Sequence, residues 1–359
     1  MKKRGTTLIL ALVLLVSITA CGGDGGQPSP SPASGSTSEA PARTEVLTLK
    51  LGGLGSGRED DCQSYPINKF IEVVEAETDG MIQIEYYPNG QLGGEPEMMD
   101  QVLSDTLDFG VLSANVLGTV WPELYAYNLP FAFDDLETLW DVCGMEKTDF
   151  YFAIRDAVND SGLAHFITTF SAEFRGCQNT TRPIRSPEDF KGLTFRVMAG
   201  EIFTDIFRSL GASTATVTFA ELYTGLQQGI VDGEDVGLSM YYDNKFYEVE
   251  KYATQFNITA TINSLIVSNA AWDKLTEAER EIINKAAAEA ELASYDHVSQ
   301  NVDHYVDLAR EQGVDVITHD QLTAEEVQAC KDAVAPMWEK YKDVVGDEVY
   351  TALTTALGR

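Results

Sequence analysis

Histidine is scarce in this sequence, and the arrangements that histidine usually serves are missing with it. Only four occur: His165, His297, His304 and His319. His297 and His304 are seven residues apart, two turns of a helix, whereas co-ligands on one helix prefer three or four. No Gly-x-Ser-x-Gly elbow, His-Glu-x-x-His pair or phosphate-cradling glycine loop is present. The residues therefore point to a binding protein and not an enzyme, with no metal and no cofactor. Basic residues are also few, 25 Lys and Arg against 56 Asp and Glu, for a net charge of −31. Binding to nucleic acid depends on neutralising phosphates with Lys and Arg, so that partner is excluded. The surplus acid serves solubility, and any bound anion needs a locally positive pocket.

Apolar runs are short. The longest uncharged one, 6–20, follows Lys2, Lys3 and Arg4 and has the length of a signal-peptide core rather than a membrane span. It ends in Ile18-Thr19-Ala20-Cys21, which resembles a lipobox, so residues 1–20 are read as a lipoprotein signal peptide and Cys21 as the lipidated residue. Its removal leaves 22 basic against 56 acidic residues, or −34. The next stretch, to residue 45, is nearly all Gly, Ser, Pro, Thr and Ala. It cannot bury enough surface to offset its ordering entropy, so 21–45 is expected to be a flexible tether that anchors the body to the membrane without spanning it. The expected location is outside the cytoplasm, at the outer face of the cytoplasmic membrane. Besides Cys21, cysteine is limited to Cys62, Cys143, Cys177 and Cys330, scattered without metal-ligand spacing. Three complete disulfide pairings, or free buried thiols, remain open.

What is present is an alternation of strand and helix patterns. Residues 46–51 alternate apolar and polar, and a glycine-rich turn, 52–57, follows. A helix to about Thr78 carries Ile67, Phe70, Ile71 and Val74 on one face. Strands at 81–87 and 107–112 flank a helix over 95–104. The alternation resumes with strands at 163–170, 193–197, 214–217 and 230–233 and helices at 202–210 and 220–228. This implies mostly parallel sheets with covered faces. A long strand over 259–268 is expected to leave one lobe and enter the other. Thr276-Glu-Ala-Glu279 is a capping box, and the helical pattern behind it runs to about Gln312. At 1.5 Å per residue such a helix spans roughly 50 Å, longer than one small lobe. The fold class expected is α/β, two-lobed and periplasmic-binding-protein-like, with a long helix bracing both lobes. Lobe I takes residues 46–172 plus 262–300, and lobe II residues 173–261 plus 301–359. Val334, Met337, Trp338 and Tyr341 share one stripe of a C-terminal helix.

A series of motifs is then met in order: Tyr87-Pro-Asn-Gly-Gln-Leu-Gly-Gly94, Leu107-Asp-Phe-Gly110, Trp121-Pro-Glu, Asn128-Leu-Pro-Phe131, Phe190-Lys-Gly-Leu-Thr-Phe-Arg-Val197, Thr218-Phe-Ala-Glu-Leu-Tyr-Thr-Gly-Leu-Gln227, Gly229-Ile-Val-Asp-Gly233 and Lys245-Phe-Tyr-Glu-Val249. Together they resemble the extracytoplasmic solute receptors of TRAP transporters, the DctP-like family. The resemblance implies a "Venus flytrap" body that captures a small organic acid in the interlobe cleft and delivers it to a small and a large membrane subunit. Two alternatives share the tether and lobes: a solute-binding lipoprotein of an ABC-type importer, against which the long brace helix and the Arg196 segment speak, and a receptor of a sensory system, which gene neighbourhood or pull-down separates.

By resemblance, Arg196 matches the arginine that pairs with the ligand carboxylate. The residues support the role: Arg196 lies among apolar Leu193, Phe195 and Val197 near a strand end, where open α/β sheets place ligands, and a guanidinium can grip a carboxylate with two parallel hydrogen bonds. Arg175 matches a second, more variable arginine and Phe219 a pocket aromatic. Val236 stands where the family often carries a ligand-contacting asparagine, and Gly237 where it carries proline. The pocket wall is thus expected to be less polar, favouring an aliphatic, aromatic or keto acid over a sugar acid. Asn115 and Trp121 complete the ligand-binding set, with the 52–57 turn and Arg58 expected to point into the cleft.

Overall fold

The computed structural model describes residues 43–359, so the signal peptide, Cys21 and all but the end of the tether lie outside the described residues. Of the tether, Arg43 is held to the body, its guanidinium donating to Glu279 at 2.8 and 2.9 Å and to the Lys274 carbonyl at 2.7 Å. No helix among the described residues is long and apolar enough to cross a membrane.

Among the described residues the strands are β1 (Leu47–Gly52), β2 (Ile82–Tyr87), β3 (Phe109–Ser113), β4 (His165–Phe174), β5 (Cys177–Asn179), β6 (Thr194–Val197), β7 (Ser213–Thr216), β8 (Gly233–Glu234), β9 (Tyr252–Thr254), β10 (Ala260–Val267) and β11 (Asp315–Ile317). They form two sheets, ordered β2-β1-β3-β10-β4 and β11-β9-β5-β8-β6-β7. This is the two-lobed α/β architecture, with two corrections. First, the sheets are mixed: β10 runs antiparallel to β3 and β4, and β5 antiparallel to β8 and β9. Second, β10 does not pass from lobe to lobe. It lies wholly in the first sheet and is buried along its whole length, so its end Leu265-Ile266-Val267 is apolar without alternation while Thr261, Asn263 and Ser264 are buried polar residues. The crossings are made instead by the short links from β4 to β5 and from β9 to β10. The strand expected at 230–233 is reduced to Gly233–Glu234, with Ile230 more than half exposed.

The long helix is the clearest agreement. It runs Glu277–Glu311, and its capping box forms as read, with Thr276 Oγ1 accepting from Glu279 N and the Glu279 carboxylate accepting from Thr276 N at 2.8 Å. Ile283, Ala286, Ala287 and Ala290 pack into the first lobe's core with Leu49, Phe70 and Leu265. Some four turns further on, Tyr305, Val306 and Ala309 pack into the second lobe's core with Leu226, Tyr241 and Val316. Each fully buried aliphatic or aromatic side chain contributes about 1.5–3 kcal/mol, so one rigid rod is bonded to both lobes. The C-terminal stripe resolves into three helices, Ala324–Val334, Pro336–Val345 and Asp347–Ala356. The first packs on helices Pro187–Phe190 and Glu201–Leu210, but the last packs on Asp149–Asp160, so the chain end returns to the first sheet's side. Trp338 anchors that return by donating to the Pro130 carbonyl at 2.9 Å.

Mid-helix, Glu291 is buried and accepts from Met145 N at 2.8 Å and from Thr168 Oγ1 at 2.5 Å. Burial pushes its carboxyl up to about 7. The folded protein thus retains a proton that the unfolded chain releases above a pH of about 4. The stabilisation is complete below that value and is lost as pH rises through about 7. Urea titrations are expected to show stability falling by up to about 3 kcal/mol per such carboxyl from pH ~4.5 to pH ~8, with a shallower fall in Glu291→Gln. A flat or rising profile counts against this account. Cys62, Cys143, Cys177 and Cys330 are all buried free thiols, so none of the open disulfide pairings forms.

Candidate functional site

Between the two sheets lies a cavity of about 500 Å³, with a second chamber of about 30 Å³ directly behind it. Leu54, Glu95, Arg196, Met198 and Phe219 line both. The walls are largely apolar, with Val116, Val217, Tyr223 and Phe246 around the larger space, and Asn89 and Asn244 also on its lining.

Arg196 is placed by β6, whose neighbours Phe195 and Val197 point into the core; Phe195 stacks on Phe207 at 4.8 Å. The alternation of the strand therefore turns Arg196 to the cavity side. Its Nε donates to the Val217 carbonyl at 2.8 Å, and the guanidinium sits 5.9 Å over the Phe219 ring. Arg196 is only 3% exposed, yet its two terminal nitrogens meet no acceptor and no carboxylate among the described residues. Burial, reinforced by the nearby charge of Arg175, pushes its pKa down. The charges of Asp235, Glu234 and Glu95 act the other way, but none pairs with it directly among the described residues; a desolvated cation without a direct ion pair is costly, and this one lines the cavity.

Arg175 is differently placed. Its Nε donates to Asp235 Oδ2 at 2.8 Å, Nη2 donates to the Asp235 carbonyl, and Nη1 reaches Thr261 Oγ1 at 3.4 Å. Burial opposes its charge, but Asp235 more than offsets this and the pKa rises. Arg175 lines only the small chamber, as does Val236. Phe219 lines both spaces as the first residue of helix Phe219–Gln227. Asn115 lines neither. It sits buried where its Nδ2 donates to the Ala199 carbonyl, tying helix Ala114–Leu117 to the segment after β6, with its Oδ1 unpartnered. Trp121 is not at the cavity either: its indole donates to Ser161 Oγ at 2.9 Å and its ring packs in the core. Arg58 also stays outside, pairing with Asp60 at 2.7 Å and Asp243 at 3.4 Å.

Other contacts join the two sides of the cleft directly. Arg58, Cys62 and Gln63 on one side meet Asp243, Ser239 and Met240 on helix Leu238–Asp243, with Cys62 Sγ 2.7 Å from Ser239 Oγ. The start of that helix explains Gly237. The Glu173 carboxylate accepts from Ser239 N at 2.9 Å and from Ser239 Oγ, an anion at a helix N-terminus. A Cβ at position 237 would clash with the Glu173 side chain, so a larger residue there would displace this buried, hydrogen-bonded carboxylate. Burial pushes Glu173 up to about 7, adding to the pH dependence set by Glu291.

Sequence reasoning missed Glu95. It opens helix Glu95–Leu103, and its carboxylate accepts from Ser113 N at 2.6 Å and Ser113 Oγ at 3.2 Å. Burial raises its pKa, while the Ser113 bonds and then the charge of Arg196 act the other way. The glycine pair before it marked the helix start, but nothing local marked the residue as facing a cleft. Asp235, the partner of Arg175, was missed for the same reason.

The chain matches the model of the bacterial extracellular solute-binding proteins, family 7 (DctP), over residues 57–343. It is 27% identical over 308 residues to the sialic acid-binding periplasmic protein SiaP of Vibrio cholerae, covering 85% of this chain and 92% of that one. It is 27% identical over 324 residues to the C4-dicarboxylate-binding periplasmic protein DctP of Rhodobacter capsulatus, covering 88% and 92%. Among solved structures it is similar to the sugar acid binding protein of Advenella mimigardefordensis in complex with galactonate, with a TM-score of 0.81, 25% identity and coverage of 88% and 98%. The motif series, the two-lobed fold and the matched span agree, and the chain belongs to the bacterial extracellular solute-binding proteins of family 7, the DctP family.

Proposed function

We propose that this protein is the exported receptor of a TRAP-type transporter and that it captures a small organic acid by placing its carboxylate on Arg196. The observation that carries this reading is the buried guanidinium with two free terminal nitrogens at the cavity wall. A carboxylate bound there supplies the direct partner the terminal nitrogens lack and two parallel charge-assisted hydrogen bonds, each worth roughly 1.5–3 kcal/mol. Phe219 supports the guanidinium from one face. Arg175, neutralised by Asp235, shapes the inner chamber instead of gripping the ligand. Val236 gives that chamber an apolar wall, which favours a less hydroxylated acid. Asn115 acts in closure rather than in ligand contact. Ligand bridging the two sides stabilises the closed form through contacts absent from the open one.

In this reading residues 1–20 are removed, Cys21 carries the lipid, and the segment up to Arg43 tethers the body at the outer face of the cytoplasmic membrane. The lobe built on the first sheet and the lobe built on the second, with β4 and β10 whole in the first and helix Asp347–Ala356 returned to its side, close on the solute, and a small and a large membrane subunit receive it. Thermal-shift profiling of the mature protein against a panel of organic acids is expected to show stabilisation by aliphatic or aromatic monocarboxylates. Stabilisation by polyhydroxylated acids alone would sink the Val236 argument. Metabolic labelling with a fatty acid, lost in Cys21→Ala, tests the anchor.

A further inference from the structure

We propose that Glu234 and Glu250 form a proton-binding site behind the cavity wall: they share one proton in the ligand-free protein and take up a second, from solvent, when a carboxylate settles on Arg196. The proposal rests on the reading that Arg196 holds the carboxylate.

The packing puts two acids where they cannot both ionise freely. Both side chains are fully buried, and none of their four carboxyl oxygens has a hydrogen-bond partner among the described residues. The donors around them are committed elsewhere. Gln178, opposite Glu234 on β5, donates to the Val236 carbonyl at 3.1 Å. The Tyr241 hydroxyl donates to the backbone carbonyl of Glu250 at 2.7 Å, not to its carboxyl. Arg175 is bound to Asp235. Burial, and then the charge of Glu234, hold the Glu250 carboxyl well above the usual carboxylate range. Two neighbouring desolvated carboxylates do not both stay ionised, and a proton held between them gives each a partner. A metal ion is a poorer occupant, because the positive charges of Arg175 and Arg196 act on the same place.

The pair is coupled to the cavity through the sheet. β8 runs parallel to β6 with Gly233 level with Phe195, so the next residues along, Glu234 and Arg196, are lateral neighbours on one face. Neither acid is on the lining of the two spaces, so the pair acts on the solute through Arg196. The charged and titratable groups around Glu234 are Arg196 on β6, Asp235 beside it, Arg175 and Cys177 at the start of β5, Tyr241 on helix Leu238–Asp243, and Glu250. Burial holds Cys177 and Tyr241 neutral, and Arg175 and Asp235 offset each other. That leaves the positive charge of Arg196 against the single negative charge of a singly protonated pair. A solute carboxylate on Arg196 cancels the attraction that keeps the pair singly protonated. A second proton then restores neutrality in a desolvated region, where an unbalanced charge is costly. By linkage, affinity falls as pH rises through the window in which the ligand-free pair has lost that second proton and the complex still holds it.

The test is calorimetry on the mature protein stripped of co-purified solute, with hexanoate, benzoate and the acid that stabilises most in the thermal-shift panel as probes. Each titration is repeated in buffers of different ionisation enthalpy, which counts the protons taken up per acid bound. The acids are ionised above a pH of about 6, so a proton counted there goes to the protein. Between pH ~6 and pH ~9 the count is expected to rise to about one, and affinity to fall by up to about tenfold per pH unit where it does. Glu234→Gln, alone or with Glu250→Gln, keeps the volume and is expected to bring the count close to zero and flatten the pH profile. Glu95→Gln and Glu173→Gln remove other buried carboxyls held above their usual range, and they are expected to keep the count whatever they do to affinity. A count of zero throughout in the unsubstituted protein overturns the proposal without any variant having to fold. So does a count that survives the double substitution, or one that disappears in Glu95→Gln or Glu173→Gln instead. Those outcomes leave the Arg196 reading standing. Failure of every acid to bind removes that reading and this one with it.

Discussion

Arg196→Ala is expected to weaken carboxylate binding by about 2–5 kcal/mol, mainly through faster release, which corresponds to a roughly 30- to several-thousand-fold rise in Kd. The structure adds a second expectation that separates binding from folding. Arg196 is a buried cation with no directly paired carboxylate among the described residues, so its removal relieves a desolvation penalty, offset by the loss of its attraction to Asp235, Glu234 and Glu95. Against that stand the lost packing on Phe219 and the loss of the donor to the Val217 carbonyl. The two effects oppose each other, and the ligand-free melting temperature is expected to change little while the ligand-induced shift disappears. Arg196→Lys restores the charge but not the planar fork, and it should recover only part of the affinity. An unchanged Kd for Arg196→Ala by calorimetry defeats the assignment.

Arg175→Ala should behave in the opposite way. It removes the partner of Asp235, which is 3% exposed and already has one oxygen without a hydrogen bond. Glu234 lies next to it, fully buried, with both carboxyl oxygens unpartnered and its pKa pushed up by burial and then by Asp235. Breaking a buried pair from one side costs about 3–5 kcal/mol, because a buried charge is left alone. Urea unfolding should therefore show a large loss of stability in the ligand-free protein. Arg175→Met combined with Asp235→Leu should recover much of it, since both charges are then gone. If Arg175→Ala unfolds at the wild-type urea concentration and loses only ligand binding, Arg175 is a ligand contact and the structural reading of the pair is wrong.

The two arginines illustrate how far the sequence could be read. Both sit in apolar surroundings next to strand ends, and both match family positions. What separates them is a hydrogen bond between residues 60 positions apart, and no local pattern carries that information. Asn115 and Trp121 failed as cavity residues for a related reason. A polar or aromatic residue in a loop can face a cleft, a neighbouring segment or the core, and only the packing of helix Ala114–Leu117 against the Ala199 carbonyl and of Trp121 against Ser161 decides which. Strand direction was equally hidden. The sequence of β10 reads the same whether it lies parallel or antiparallel to β3, since a strand buried along its whole length has no inside–outside alternation to read.

Short-range chemistry, by contrast, was fully legible. The capping box at Thr276 and Glu279 needs only residues three apart, so the start of the 35-residue helix was determined by the sequence itself. The strand–helix alternation, the two-lobed class and the family followed from periodicity and ordered motifs. Tertiary structure alone decided which buried charge has a partner and which does not. Arg175 meets Asp235, while Arg196 and Glu95 line the same cavity without a direct pair among the described residues. Burial makes that difference matter, because in a desolvated cleft an unpaired charge is what a ligand of opposite charge can most stabilise.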